Sequence, residues 1–334
     1  MPPVPARLPV VLAVAAALVL AGCEESTPGS SPSGTEPSAS AASPSPIPTP
    51  ESTTAGPYPA LITKLGFDAA PIDAVVAFGS VWVANHHSDD VVRVDPATGF
   101  EQARIALSDG SGPGWFAVSD AGVWVTLQND AGIARIDPET NKLDLDQAGT
   151  LPPCGPPAAT PVAVWYWACD TGQMVRIDLA SEEASAIPAV DLSFPIVVDE
   201  VLYSVGPDGV VRLADDEETW TLVGGCCGVP LGYAGGTLWL VGDDQVVRVD
   251  PTTGEVTATI PLVRKGVMGV GTEVVWFTPA EGLNGPLEQV RIADNAILDP
   301  LQTSPSPTVV RVDGSTLWVT DFTASELWRV ALQP

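Results

Sequence analysis

The side chains in this chain that could do chemistry fall in short polar segments. One segment, NHHSDD, contains the only two His, His86 and His87. The whole candidate set is His86, His87, Asp89, Asp90, Asn129, Asp130, Asp170, Asp243, Asp244, Glu281, Asn284 and Asp321. Carboxylates, amides and imidazoles are ligands for divalent cations, so weak cation binding is one interpretation of the set. The other is that Asp, Asn and Gly populate these segments because they tolerate turn geometry and solvent.

Catalysis is a less favoured use of these residues. An imidazole is the side chain that acts as a base near neutral pH without a large pKa shift, and both His lie in one loop. The chain has no nucleophile motif, phosphate-binding loop or closely spaced Cys and His zinc pattern. We therefore predict no catalytic residue, no tightly bound metal and no cofactor.

A repeat centred on an aromatic residue determines where the polar segments lie. The repeated residues are Trp82, Trp124, Trp165, Tyr203, Trp239, Trp276 and Trp318, spaced 36 to 42 positions apart. Each unit contains short stretches rich in Val, Trp, Ile and Thr, separated by Gly, Asp-Pro or Asn turns, which is typical of antiparallel strands. A repeat of about 40 residues with four such strands predicts a propeller blade. The chain is therefore predicted to be an all-β, seven-bladed β-propeller of four-stranded antiparallel blades.

This architecture would place the candidate set on one surface. In a propeller, the loops between second and third strands and the loops between blades lie on the same face, around the channel mouth. We call this face the rim. Trp115, Phe116, Phe194, Tyr233 and Phe322 are also expected at or near the rim, where an aromatic patch would favour binding of a partner.

One Arg follows each repeated aromatic residue at a spacing of 9 to 15 positions. The seven residues are Arg93, Arg135, Arg176, Arg212, Arg248, Arg291 and Arg329. We interpret them as a structural ladder that pairs with carboxylates or carbonyls between strands or blades, because Arg suits bidentate, partly buried contacts. Convergence on an anionic ligand is the alternative.

The ring is predicted to close through its N-terminal strand. The seventh unit has three strands before the chain stops, whereas ALITKLGF, residues 60 to 67, precedes the first unit as a spare strand. This strand is expected to complete the last blade, which removes an unpaired edge. The propeller is therefore assigned to residues 58–334.

The repeat resembles a known group of propellers. SVWVAN with VVRVDPATG, GVWVTL with IARIDPET, and TLWLVG with VVRVDPTTG are similar to the blades of YVTN-type repeat proteins and their relatives around virginiamycin B lyase. The resemblance implies the seven-bladed fold and a metal-assisted elimination that uses His and Glu from different blades. This chain departs from that pattern because its two His are neighbours in one loop.

The N-terminal 57 residues predict export and anchoring. Arg7 and the apolar run Val10 to Leu20 are typical of a signal peptide, residues 1–22, and LAGC resembles the lipobox of bacterial lipoproteins. The resemblance implies cleavage before Cys23 and its lipidation; an ordinary signal peptide with an incidental Cys is the alternative. Residues 23–57 then form a lipidated Cys and a disordered Ser/Pro/Thr-rich tether that could reach about 100 Å from the membrane.

The net charge limits the kinds of partner that the protein can bind, and the cysteine content bears on disulfide formation. Cleavage before Cys23 leaves 13 basic and 41 acidic residues, so the mature net charge is 13 − 41 = −28, which excludes nucleic acid as a partner. In an exported domain the remaining Cys are expected to form disulfides. The preferred pairings are Cys154 with Cys169 and Cys226 with Cys227, and crossed pairings are the alternative.

The sequence therefore favours an extracytoplasmic lipoprotein, held in the bacterial cell membrane by the lipid on Cys23. Its propeller would act as a binding or interaction module through the channel-mouth loops, for a protein, peptide or glycan. One alternative is a metal-assisted lyase or hydrolase of the virginiamycin B lyase-like type. The other is a non-catalytic scaffold of the cell envelope.

Overall fold

The protein folds into seven four-stranded antiparallel sheets, as the sequence predicted. A computed structural model describes residues 60–66, 68–168, 170–188, 192–213, 220–224, 229–242, 245–262, 266–279 and 284–332. These residues contain strands and turns, and among them no helix is long and apolar enough to cross a bilayer. The all-β, seven-bladed prediction is confirmed.

Each of the first six blades is built from four consecutive strands. Blade 1 contains β2 (Pro71–Ala77), β3 (Ser80–Asn85), β4 (Asp90–Val94) and β5 (Glu101–Ala106), and blade 2 contains β6 (Pro113–Ser119), β7 (Gly122–Leu127), β8 (Ile133–Asp137) and β9 (Lys142–Ala148). Blade 3 contains β10 (Ala158–Ala159), β11 (Ala163–Ala168), β12 (Gln173–Asp178) and β13 (Ala184–Pro188), and blade 4 contains β14 (Ile196–Val198), β15 (Val201–Gly206), β16 (Gly209–Leu213) and β17 (Trp220–Gly224). Blade 5 contains β18 (Val229–Ala234), β19 (Thr237–Val241), β20 (Val246–Val249) and β21 (Val256–Ile260), and blade 6 contains β22 (Met268–Val270), β23 (Val274–Phe277), β24 (Leu287–Arg291) and β25 (Ile297–Leu301).

Blade 7 closes the ring with a strand from the other end of the domain. Its strands are β26 (Pro307–Asp313), β27 (Thr316–Asp321), β28 (Glu326–Ala331) and β1 (Ala60–Lys64), and β1 lies antiparallel on the outside of β28. Ala60 pairs with Val330 and Lys64 pairs with Glu326, so the predicted closure is confirmed. Because β28 runs away from the rim, the chain enters the domain on the opposite face. We call this opposite face, which carries the turns between third and fourth strands, the turn face.

The hydrophobic core lies between neighbouring blades. The second strand of a blade is buried on both of its faces, and Trp82, Trp124, Trp165, Trp239 and Trp318 are fully buried there. Trp82 of blade 1, for example, packs in one cluster with Val123 and Val125 of blade 2. Since each Trp fills the gap to the next blade, the repeated aromatic residue sets the spacing of the ring.

Four of the seven Arg of the predicted ladder stack on the Trp of their own blade, on the side of the turn face. The guanidinium lies 4.8 Å from the ring centre in the Arg93–Trp82 and Arg248–Trp239 pairs, 5.2 Å in Arg135–Trp124 and 5.7 Å in Arg176–Trp165. Arg93 also donates to the carbonyl of Pro138 at 2.6 Å and to Oδ1 of Asn141 at 2.7 Å, both in blade 2. These contacts join strands and neighbouring blades.

The turns after the third strands are closed by an Asp side chain. Oδ1 of Asp95 accepts the N–H groups of Ala97 and Thr98 at 2.9 and 2.8 Å, and Asp137, Asp178 and Asp250 accept equivalent pairs. Hydrogen bonds to the ionised form lower the pKa of all four carboxyls, that of Asp178 to about 2. The repeated Asp is therefore a turn residue of the face opposite the rim.

Candidate functional site

Rim loops from blades 7, 1 and 2 lie against one another where the ring closes. The N–H groups of His86 and His87 donate to the carbonyls of Ala70 and Ala69, both at 3.1 Å, in the loop between β1 and β2. On the other side, Asn129 N–H donates to the carbonyl of Ser111 at 3.0 Å. Loops that sequence places far apart are thus fixed to one another by backbone hydrogen bonds.

Asp89 holds the loop between blades 1 and 2 in place. Its two carboxylate oxygens accept the N–H groups of Gly110 at 2.7 Å and Gly112 at 2.9 Å, and its own backbone takes the left-handed conformation with φ 51°. Gly112 also has a positive φ, 58°, which favours glycine. Asp89 therefore orders the loop rather than offering both oxygens to a ligand.

Four side chains from these three blades form a continuous row across the rim. The rings of Phe322 and His87 meet edge to face with centres 5.5 Å apart, and the rings of His87 and His86 lie 5.7 Å apart. A Cβ built on Gly112 would overlap the amide of Asn129 and would lie 2.7 Å from Cε1 of His86, so both side chains reach this glycine. We call Phe322, His87, His86 and Asn129 the rim row.

Asp68 orients the exposed imidazole of the row. Its Oδ1 lies 3.2 Å from Nδ1 of His87, and both side chains are exposed, by 70% and 45% respectively. In the tautomer whose Nδ1–H donates to the carboxylate, Nε2 of His87 carries the lone pair and accepts hydrogen bonds. The sequence set omitted Asp68 because it lies in the loop between the first two strands, apart from any repeat mark.

The other imidazole, His86, is buried and neutral. Burial is the largest cause that lowers its pKa, and the nearby His87 lowers it further, whereas Asp89 and the Gly112 and Pro113 backbone act in the opposite direction. Only 8% of the residue is exposed, and its Nδ1 has no hydrogen-bond partner within the described part of the chain. His86 therefore contributes an uncharged ring to the row.

An ion pair below the row joins the same three blades, and sequence reasoning missed it. Asp73 of β2 is almost fully buried, with Oδ1 at 2.7 Å from Nη2 of Arg311 in β26 and Oδ2 accepting the N–H of Phe116 in β6 at 3.1 Å. Burial raises the pKa of Asp73, and Arg311 is the main group opposing that rise. No repeat marks either residue, so only the ring closure reveals the contact.

Several residues predicted to be candidate binding residues of the rim are buried. Asp90 and Asp321 are buried in strands: Asp90 binds Arg104 and Asn85, each at 2.7 Å, and Asp321 accepts the N–H groups of Ser306 and Ala324. They are structural because their oxygens are already bonded within the fold. His86 is buried as well, whereas His87, Asn129, Asp130, Asp170 and Asn284 are exposed. Asp243, Asp244 and Glu281 lie outside the described residues.

The aromatic residues expected at or near the rim are less exposed than a binding patch would favour. Phe116 is buried, and Trp115, Phe194, Tyr233 and Phe322 are half-buried. Trp115 and Phe116 lie in β6, so blade packing covers them. The large apolar side chains that are exposed include Phe78 and Phe100 in turns of the turn face.

The predicted disulfides stay predictions. Cys154 N–H donates to the carbonyl of Trp167 at 2.9 Å, close in sequence to Cys169. Cys169, Cys226 and Cys227, like Cys23, the predicted site of lipidation, lie outside the described residues. In the described part of the chain, no three His, Cys, Asp or Glu side chains converge as a metal site would require.

No protein-family model matches the chain, and no curated protein sequence matches it either. Solved structures do match. Virginiamycin B lyase from Staphylococcus aureus superposes with TM-score 0.68 at 18% identity, covering 83% of this chain and 100% of that one. A catalytically inactive variant of that lyase, with one His replaced by Ala and solved with quinupristin, gives TM-score 0.67 at 19% identity over 83% and 100% of the two chains. The likeness establishes the fold.

A third similar structure belongs to a different protein. BamB from Moraxella catarrhalis superposes with TM-score 0.53 at 15% identity, covering 76% of this chain and 82% of that one. Lyases and BamB thus share the propeller, so the shared fold fits both a lyase-like protein and an interaction module. The functional choice has to rest on the residues of this chain.

Proposed function

We propose that this protein is an extracytoplasmic lipoprotein whose propeller binds a partner through the rim row. The observation that carries the proposal is the convergence of Phe322, His87, His86 and Asn129 from three blades. The row lies on the face opposite the point where the chain enters the domain at Ala60.

The site is rigid in a way that suits binding. Asp73 and Arg311 clamp the first strands of blades 7, 1 and 2, and Asp89 pins the Gly110–Gly112 loop beside the row. Side chains held by such contacts lose little conformational entropy when a partner binds. A preorganised surface made of non-repeated residues supports recognition of one kind of partner.

A photo-cross-linking residue placed on either face of one blade tests the binding surface. Asp130 and Thr140 are both exposed turn residues of blade 2, the first beside the row and the second on the turn face. We expect a specific adduct from intact cells with the cross-linker at Asp130 and none at Thr140. Adducts only at Thr140 would refute rim binding, and adducts at neither position would favour the scaffold alternative.

The anchor can be tested separately from the domain. The proposal of lipidation at Cys23 rests on LAGC after a charged start and an apolar run. We expect Cys23→Ser to move the protein from the membrane fraction to the medium with an unchanged melting temperature, because Cys23 precedes the first strand of the propeller, which begins at Ala60. A variant that stays on the membrane after a salt wash would argue against this anchor.

A lyase is the second candidate, favoured by the structural likeness to virginiamycin B lyase. The two His of this chain are adjacent, and one of them is buried, which disfavours acid–base chemistry shared between blades. We expect no turnover of quinupristin by the full chain. Turnover abolished by His86→Ala/His87→Ala would replace the binding proposal with an enzymatic one.

A further inference from the structure

The seam between blades 7 and 1 presents hydrogen-bond acceptors beside an aromatic ring. Asp68 is exposed and oriented toward His87, whose Nε2 accepts hydrogen bonds when Nδ1 donates to that carboxylate. Phe322 stands edge to face with His87 and is half-buried. A carboxylate, a neutral imidazole and a π-system all interact favourably with a positively charged donor.

Charge around this seam has one sign. The five rim loops of blades 7, 1 and 2, residues 65–70, 86–89, 107–112, 128–132 and 322–325, contain Asp68, Asp89, Asp109 and Asp130 but no Lys or Arg. Basic groups in the strands that flank these loops are paired: Lys64 with Glu326, Arg104 with Asp90 and Glu101, and Arg311 with Asp73. An anionic ligand would therefore be repelled, and a cationic one attracted.

His86 forms the buried end of the rim row. His86 is more than nine-tenths buried, its Nδ1 has no partner in the described part of the chain, and its ring lies next to that of His87. Because burial lowers the pKa of His86, the ring stays uncharged and adds no positive charge to the seam. The row thus remains an acceptor surface in a negative field.

We infer that the rim row binds a cationic group, the Lys or Arg side chain of a protein or peptide, between Asp68, His87 and Phe322. This inference rests on the proposed rim binding and specifies its ligand chemistry. The carboxylate of Asp68 holds the charge, Nε2 of His87 accepts one N–H, and the ring of Phe322 covers the alkyl stem.

The two His make the site directly observable. Since the full chain has only His86 and His87, its imidazole Cε1–H NMR spectrum contains two side-chain signals from the native residues, and His87→Gln assigns them. The probes are N-acetylated, C-amidated tetra-lysine, tetra-glutamate of the same form, and chitotetraose. We expect tetra-lysine alone to shift the His87 signal in a saturable way.

Substitutions distinguish binding at this site from nonspecific attraction of a cationic ligand to the acidic protein. We expect Asp68→Asn and Phe322→Leu each to weaken tetra-lysine binding by about threefold to fivefold, as for a surface ion pair or cation–π contact. Asp170→Asn removes an exposed rim carboxylate of blade 3 and should leave the affinity unchanged.

Three results would overturn the inference: no His87 shift with tetra-lysine, equal weakening by Asp170→Asn, or a saturable shift with chitotetraose or tetra-glutamate instead. A shift with another probe would still leave the rim as the binding surface. Its failure is thus distinct from failure of the proposed function, which the cross-linkers at Asp130 and Thr140 test.

Discussion

The turn face and the rim are built from the same seven blades, yet their side chains behave differently. On the turn face, Arg93 and Arg248 repeat one arrangement: each stacks on its own Trp and donates to a carbonyl and an Asn oxygen of the next blade. On the rim, Asp68, His87 and Phe322 meet once, where the ring closes. Repeated contacts stabilise the scaffold, whereas the single constellation is available for recognition.

Opening the ring should have the largest effect, because both faces depend on it. Deletion of residues 58–67 removes β1, exposes the edge of β28 and breaks the Thr63 hydrogen bond to the Gly99 carbonyl. We expect the melting temperature to fall by at least about 10 °C, whereas deletion of 24–57 leaves it unchanged. Calorimetry on both deletions checks this, and equal melting temperatures would contradict the closure.

A conservative change in the ladder should cost less, and only where the Arg is buried. In Arg248→Lys, the Ile292 carbonyl and Asn295 Oδ1, each 2.7 Å from Nη1, would lose their donor. We expect the unfolding free energy to fall by about 2 kcal/mol. Arg291, half-exposed and paired with Asp294 three positions along, provides the control: Arg291→Lys should change it by less than about 0.5 kcal/mol. Urea denaturation measures both values. Equal losses of unfolding free energy in the two variants would contradict the difference expected between a buried and an exposed Arg.

The smallest effect concerns acid stability of the turns. The folded Asp178 carboxyl has a pKa of about 2, below the unfolded value of about 3.9, so the unfolded chain binds the proton first as pH falls. The contribution of Asp178 is therefore complete above about pH 5 and is lost between the two pKa values. Asp178→Asn should flatten that part of the stability profile. Denaturation midpoints from pH 5 to 2 measure it, and an unchanged slope would contradict the assignment.

The sequence predicted the features that recur from blade to blade. An aromatic residue returns in every blade, an Arg lies opposite it in six blades, and a turn Asp follows in four, so these residues reveal blade number and strand order. In blade 6 the ladder prediction was wrong, because Gln289 and not Arg291 lies opposite Trp276. Asp68 and Asp73 lie between or within strands without any such mark: Asp68 pairs with His87 of the next rim loop, and Asp73 pairs with Arg311 of blade 7 through ring closure. No spacing in the chain could predict those pairs.

The sequence also did not predict which rim residues are buried. His86 and His87 are neighbours of the same type, but one packs under Gly112 and the other faces solvent. Asp90 and Asp321 occupy strand ends, where Arg104 or backbone N–H groups already use their oxygens. These differences arise from packing between loops of different blades, which composition does not encode.

The measurement that tests rim binding most directly combines the cross-linker at Asp130 with two glycine substitutions. Gly112→Ala and Gly110→Ala both strain a positive φ, but only the Cβ at Gly112 would strike His86 and Asn129, since nothing lies within 4 Å of the Cβ at Gly110. If the rim row is the binding site, Gly112→Ala abolishes the adduct and Gly110→Ala retains it, while both variant proteins remain folded. Equal adduct yields from the two variants would contradict it.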